Sequence, residues 1–329
     1  MASKAASSQQ QKVVEELFFQ NDTLSVCLLL NRRTRTLRIV DFRAGPSAAK
    51  RLFIVSVAQR EGMAKMFTVV ERDEAATWAK LGFNKEGSIP GFYKRSDAFL
   101  LGSVVPPPGA AQAPSDADGA PFQSATRIVA AGARPSANGP VPSAPANETM
   151  ERTLLVAKKA LKEGPEKVLP VAKVTTITEA ETRKAVAAAL RSGRAMTAFE
   201  PFGRDVERRY FLTTTRGGVE LYASTEAQAC FGNAFLELLQ GPRTESEGLA
   251  TAGALRALCE KLTREGVVSC FSLTPSDDVI LASAFLQNGF RRTGLLHEQW
   301  PAHDGMAPSR PRRKDVILWS RKLANPADE

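Results

Sequence analysis

The chain has 329 residues, 43% hydrophobic and 24% charged, with 44 Lys and Arg against 35 Asp and Glu for a net charge of +9. No run approaches the ~20 uninterrupted apolar residues of a membrane-spanning helix, and the polar start MASKAASSQQQK lacks the apolar stretch of a secretory signal. Four cysteines without a CxxC pair and only two histidines argue against a disulfide framework, a zinc finger or a multi-histidine metal centre, so a reduced, cytoplasmic, metal-free protein is expected.

Residues 1–12 read as a disordered N-terminus and 13–102 as a first folded unit. In it LSVCLLL (Leu24–Leu30) and LRIVDF (Leu37–Phe42) predict strands joined by the polar turn NRRTRT. Gly45-Pro46-Ser47 starts a helix over Ala48–Arg60, followed by a buried strand, Lys65–Val70. A helix over Asp73–Leu81 stops at Gly82, and Ile89–Tyr93 with Ala98–Leu101 predict a strand pair.

Residues 103–147 are dominated by Pro, Ala, Gly and Ser without apolar periodicity, too little buried surface to offset ordering entropy, and predict a disordered linker. The second unit, 148–323 before a 324–329 tail, opens with helices Glu151–Lys162 and Glu179–Arg191. Strands follow at Tyr210–Thr215, Gly218–Ala223 and Phe231–Leu239. A long helix to Glu265, a strand Val267–Leu273, a helix Asp278–Asn288 and two closing strands complete it. This order predicts an α/β fold: a mixed, largely antiparallel twisted sheet with helices on both faces. Two basic clusters, Arg32/Arg33/Arg35/Arg38 and Arg310/Arg312/Arg313/Lys314, fall in turns without interleaved aromatics, which disfavours nucleic acid as the partner.

The units share a repeat. Trp78-Ala-Lys-Leu-Gly82-Phe83-Asn-Lys-Glu-Gly87 aligns without a gap with Phe285-Leu-Gln-Asn-Gly289-Phe290-Arg-Arg-Thr-Gly294, and each is followed by an Asp and an apolar strand at Asp97 and Asp315. A helix ends on a left-handed glycine and the next Phe is buried as the chain turns into a strand.

With Pro242-Arg-Thr-Glu245-Ser-Glu-Gly248-Leu-Ala250, GVVSCFSLTPSDD and SAFLQNGF in this order, residues 175–323 resemble the GNAT superfamily of acyl-CoA N-acyltransferases. The first unit, KMFTVVERDEAATWAKLGFNKEGSIPGFYKRSDAFLLG, is similar to the N-terminal portion of bacterial β-lysine N-acetyltransferases. The resemblance implies two GNAT-like units, the first incomplete, and an acetyl-CoA-dependent N-acetyltransferase acting on a small amino acid or polyamine-like amine. It also implies the alternative of a catalytically degenerate acyl-CoA sensor or protein-interaction module. A homodimer is one way to use the first unit; pairing its sheet with the second in the same chain is another.

The same resemblance assigns the acyl-CoA site to the strand end Leu239 and Gln240 and to a loop Gly248, Leu249, Ala250, Thr251 and Ala252, with Thr251 beginning the helix whose free amides would meet the diphosphate. Glu245 stands where the family carries Gln or Arg, and Phe285 where it carries a thiolate-protonating Tyr. An amine must lose a proton before it attacks a thioester, so a carboxylate is sought. Alternation puts Glu237 with Phe235 and Leu239 on one face of its strand, making Glu237 the first nominee as base. His297 is the second nominee, as base or as a partner for a substrate carboxylate.

Overall fold

The computed structural model describes residues 14–107, 146–163, 168–301 and 313–324, apart from 23, 43–44, 46, 94–95, 197–201, 203–205 and 229–231. Residues 1–13, nearly all of the 103–147 segment, His303 and the Arg310/Arg312 pair lie outside the described residues.

Apolar alternation makes the first half β1 (Val14–Gln20), β2 (Ser25–Asn31), β3 (Thr36–Asp41), α1 (Ala48–Arg60), β4 (Lys65–Val70), α2 (Arg72–Lys80), β5 (Asn84–Ile89) and β6 (Ala98–Val104). The second half is α3 (Ala146–Glu163), β7 (Ala172–Ile177), α4 (Glu179–Arg191), β8 (Glu207–Thr215), β9 (Glu220–Gln228), β10 (Asn233–Leu238), α5 (Glu245–Arg264), β11 (Ser269–Pro275), α6 (Val279–Gln287), β12 (Arg291–Pro301) and β13 (Arg313–Lys322). All strands join one sheet in the order β1-β2-β3-β4-β6-β5-β12-β13-β11-β10-β9-β8-β7. It is mixed and largely antiparallel, with parallel pairs at β3–β4 and β10–β11.

Reading outward from the centre, β5-β6-β4-β3-β2-β1 mirrors β12-β13-β11-β10-β9-β8, with α1 and α2 in the places of α5 and α6. The repeat seen in the sequence is thus the core of two related halves. They meet at the repeat's own last glycines, Gly87 of β5 opposite Gly294 of β12. A Cβ on Gly294 would stand 2.5 Å from Gly87 Cα and 2.6 Å from Glu86 O, so only glycine permits this approach. Each strand carries a register shift there, between Lys85 and Gly87 and between Arg292 and Gly294.

Helices cover both faces. On one, α5 and α6 pack on Leu236, Leu238, Ile317 and Trp319, and α1 and α2 cover a separate core around Leu28, Ile39 and Trp78. On the other, α4 sets Val186 against Tyr210 and Leu239. A further core draws on both halves: Ile89, Phe92 and Leu100 meet Phe235, Phe271 and Leu318. Phe92 packs edge-on against Phe271 at 5.8 Å, and the Asn233 side-chain amide donates to the Phe92 carbonyl. The halves are therefore fastened within one chain by buried apolar surface as well as by strand pairing.

Three expectations are corrected. The strand placed at Ile89–Tyr93 is β5 at Asn84–Ile89, with 91–93 in the following turn; β5 is too polar to announce itself, because half its residues face outward. Strands β1 and β7, one at each end of the sheet, were not predicted. Helix α5 starts at Glu245, well before Thr251, because Thr244 caps it by accepting the Glu247 N–H at 3.2 Å.

Candidate active site

The pairing of β10 with β11 stops at Phe235–Phe271, although β10 runs on to Leu238 and β11 to Pro275. Leu239 donates its N–H toward β9, to Tyr222 O at 2.9 Å. By alternation, Leu238 turns its own backbone groups to the parted side. Next to this parting lies a cavity of about 300 Å³, lined among others by Arg33, Arg194, Arg243, Asp278, Trp300 and Lys314. Arg33 comes from the first half. The β2–β3 turn reaches across, and Arg313 of β13 holds it by donating to Thr34 O at 2.8 Å.

Asp278 is the acid of this cavity. It caps α6, with Oδ1 accepting the Leu281 N–H at 2.9 Å. Burial raises its pKa despite that hydrogen bond. In the sequence it is masked, because Ser-Asp-Asp before an apolar run is also an ordinary helix start. Cations surround it: Lys314 pairs with Asp277 at 2.8 Å, and Arg194 with Glu247 at 2.6 Å.

The predicted residues fall in five places. Glu237 lies on β10, where its carboxylate accepts from Ser224 Oγ at 2.9 Å and faces Arg208 at 3.5 Å, in a network that also pairs Arg208 with Glu226 at 2.8 Å. Leu239 is in the core beneath α4, its carbonyl taken by Met196 N–H at 3.0 Å, and Gln240 donates its side chain to Glu220 O at 2.8 Å. Gly248, Leu249, Ala250, Thr251 and Ala252 lie inside α5 rather than in a loop. The Gly248 N–H donates to Thr244 O at 2.9 Å, and the glycine lies against Ile280 of α6. Gly248 and Leu249 line a second cavity of about 310 Å³ between α3, α5 and α6. Phe285 is fully buried, stacked on Trp319 at 5.4 Å.

His297 stands at the junction of the halves. Its Nδ1 is 3.7 Å from Asp315 Oδ1, and that carboxylate raises its pKa. The His297 backbone also donates to Glu86, which forms a buried ion pair with Lys65 of β4. Four ionisable groups from both halves are thus linked through one junction. The second half does not assemble it alone.

At the start of α5 the Glu247 carboxylate turns back, accepting the Arg243 N–H at 2.8 Å and the Arg194 guanidinium. Its charge is neutralised, and the first-turn amides of Glu245 and Ser246 precede the first intrahelical donor. The amides of the predicted run 248–252 lie inside the helix, the first of them already donating to Thr244 O. Among the described residues, no three His, Cys, Asp or Glu side chains gather as a metal site requires.

No family model and no curated protein sequence matches the chain. Solved structures overlap about half of it. The ribosomal-protein-S18-alanine N-acetyltransferase of Escherichia coli is 17% identical, over 48% of this chain and 98% of its own, with a TM-score of 0.35. A spermidine N-acetyltransferase of Vibrio cholerae, in complex with CoA and spermine, is 11% identical over 46% of this chain and 95% of its own, also with a TM-score of 0.35.

Proposed function

We propose that the second half is an acetyl-CoA-dependent N-acetyltransferase acting on a small amine, with the first half closing its acceptor side. The observation that carries this reading is the parting of β10 from β11 beside a cavity that holds a half-buried acid. Parted strands leave the Leu238 backbone to pair with a pantetheine arm, and the Glu245 and Ser246 amides favour a diphosphate by hydrogen bonding and helix dipole.

In the reaction, Asp278 takes a proton from the acceptor ammonium, and the freed amine attacks the thioester carbonyl. The new C–N bond forms, the nitrogen of the tetrahedral adduct gives up its second proton to solvent, the C–S bond breaks as the adduct collapses, and the leaving thiolate takes up a proton from solvent. Asp278 is preferred to Glu237 as base, since Glu237 is held by Arg208 and Ser224. Burial suits Asp278 to the task by lifting its pKa toward the working range. His297 and Glu237 then act as structural charges at the junction and on β10.

A second reading has its own support: Ile280 closes on Gly248, Glu247 guards the start of α5, and Phe285 offers no proton. These features suit an acyl-CoA sensor. Calorimetry with acetyl-CoA and a CoA-release assay on a panel of amines test both. The transferase is expected to bind and turn over; Asp278→Asn is expected to lower kcat/KM about a hundredfold and to remove the rise in rate as pH passes the raised Asp278 pKa. Binding without turnover selects the sensor. Absence of binding defeats both.

A further inference from the structure

We infer that Arg33, carried into the second half's cavity by the first half's β2–β3 turn, grips a carboxylate on the acceptor, so that the substrate is an amino acid rather than a polyamine. The inference rests on the transferase reading and narrows its substrate class.

The turn is built to hold its shape. Asn31 Oδ1 accepts the N–H groups of both Arg33 and Thr34 at 3.0 Å, and the Thr34 and Thr36 hydroxyls bond at 2.7 Å. The neighbouring arginines are engaged. Arg32 pairs with Glu15 and Glu61 at 2.8 Å, Arg35 donates to Gly62 O at 2.8 Å, and Arg38 lies over the Phe202 ring at 5.0 Å. Within the cavity, Lys314 has Asp277, Arg194 has Glu247, and Arg243 donates to Ser192 O.

The Arg33 guanidinium, by contrast, lines the cavity half-buried with no hydrogen-bond or ion-pair partner among the described residues. Burial disfavours its charge, and Glu237 compensates only through space. A partly dehydrated arginine with an empty donor fork is matched by a two-oxygen anion. Glu237 projects from the β10 face away from α5, so its charge reaches Arg33 without contact. An acceptor whose amine meets Asp278 while its carboxylate meets Arg33 uses both ends of the cavity's charge.

The test uses the full chain and matched pairs that differ by one carboxylate: lysine with cadaverine, ornithine with putrescine, and alanine with ethylamine. At least one pair is expected to favour the acid about tenfold or more in kcat/KM. Arg33→Ala is expected to bring that ratio toward one through the KM of the acid, and Arg33→Lys to retain part of it. No preference in any pair overturns the inference while leaving the transferase standing. So does an Arg33→Ala defect confined to the KM of acetyl-CoA, which would assign the guanidinium to the coenzyme's phosphates. If nothing turns over, the transferase fails separately, and calorimetric binding of the same acids decides: tenfold weakening by Arg33→Ala sustains the inference, and equal or absent binding overturns it.

Discussion

The two halves repeat one corner and differ at the mouth of the parted strands. In both, an aromatic from the helix meets the Phe after the glycine: Trp78 on Phe83 at 5.0 Å, and Phe285 on Phe290 at 4.9 Å. In both, an Asp braces the following turn, Asp97 accepting the Gly91 N–H at 2.8 Å and Asp315 the Glu298 N–H at 2.7 Å. At the end of β3, however, the buried Lys50 of α1 pairs with Asp41 at 2.6 Å and donates to Gly45 O at 3.2 Å, filling the position that corresponds to the cavity beside β10. One mouth is closed by an internal ion pair, the other stays open and borrows an arginine from its neighbour. The corner is shared because each core depends on it, while the mouths differ because the fold does not depend on them.

The strongest test of this partnership is the ion pair Lys65–Glu86, whose side chains are 1% and 5% exposed. Lys65→Met leaves a buried carboxylate unpaired at the junction and is expected to cost about 3–5 kcal/mol in urea unfolding. Adding Glu86→Gln should return part of that loss. Next comes the glycine contact. Gly294→Ala drives a methyl into backbone and should cost about 2–3 kcal/mol. Gly87→Ala should cost less, since its nearest backbone neighbour, Gly294 Cα, stands 3.0 Å from the added methyl rather than 2.5 Å.

The braced turns give smaller effects, of opposite sign in the two halves. Glu298 holds φ +49 where the first half has Gly91 at φ +65. Glu298→Gly is expected to stabilise by about 0.5–1 kcal/mol, and Gly91→Ala to destabilise by about 1 kcal/mol, both read from thermal melting.

The smallest effect is the pH response of His297. Its raised folded pKa contributes stability that is complete below its ordinary 6.5 and lost as pH rises through the folded value. Asp315, lowered from 3.8, contributes above that value and loses it as pH falls through its folded pKa. Melting temperature should therefore decline from mildly acidic to mildly alkaline pH, and His297→Ala should flatten that slope. The ring is 44% exposed, so solvent screening holds the effect under about 1 kcal/mol.

Much of the fold was legible in the residues. The strand–helix order of the second half from β8 onward, the helix starts at Ser47 and Asp278, and the gapless Trp78–Gly87/Phe285–Gly294 repeat all follow from local patterning and chain reversal. The resemblance places a loop over 248–252, whereas one threonine cap upstream, Thr244, makes it helix. The candidate site was less legible. Glu237 and His297 were nominated by type and position, yet Arg208 and the junction charges determine what they do, and these partners come from distant strands.

The sequence by itself determined the local conformations and the existence of two related halves, because periodicity, caps and left-handed glycines act over a few residues. Only the tertiary structure decided that Gly87 meets Gly294, that Arg33 enters the other half's cavity and that Lys50 fills its own. Those outcomes depend on groups far apart in the chain, where burial and charge pairing, rather than neighbouring residues, set the energy.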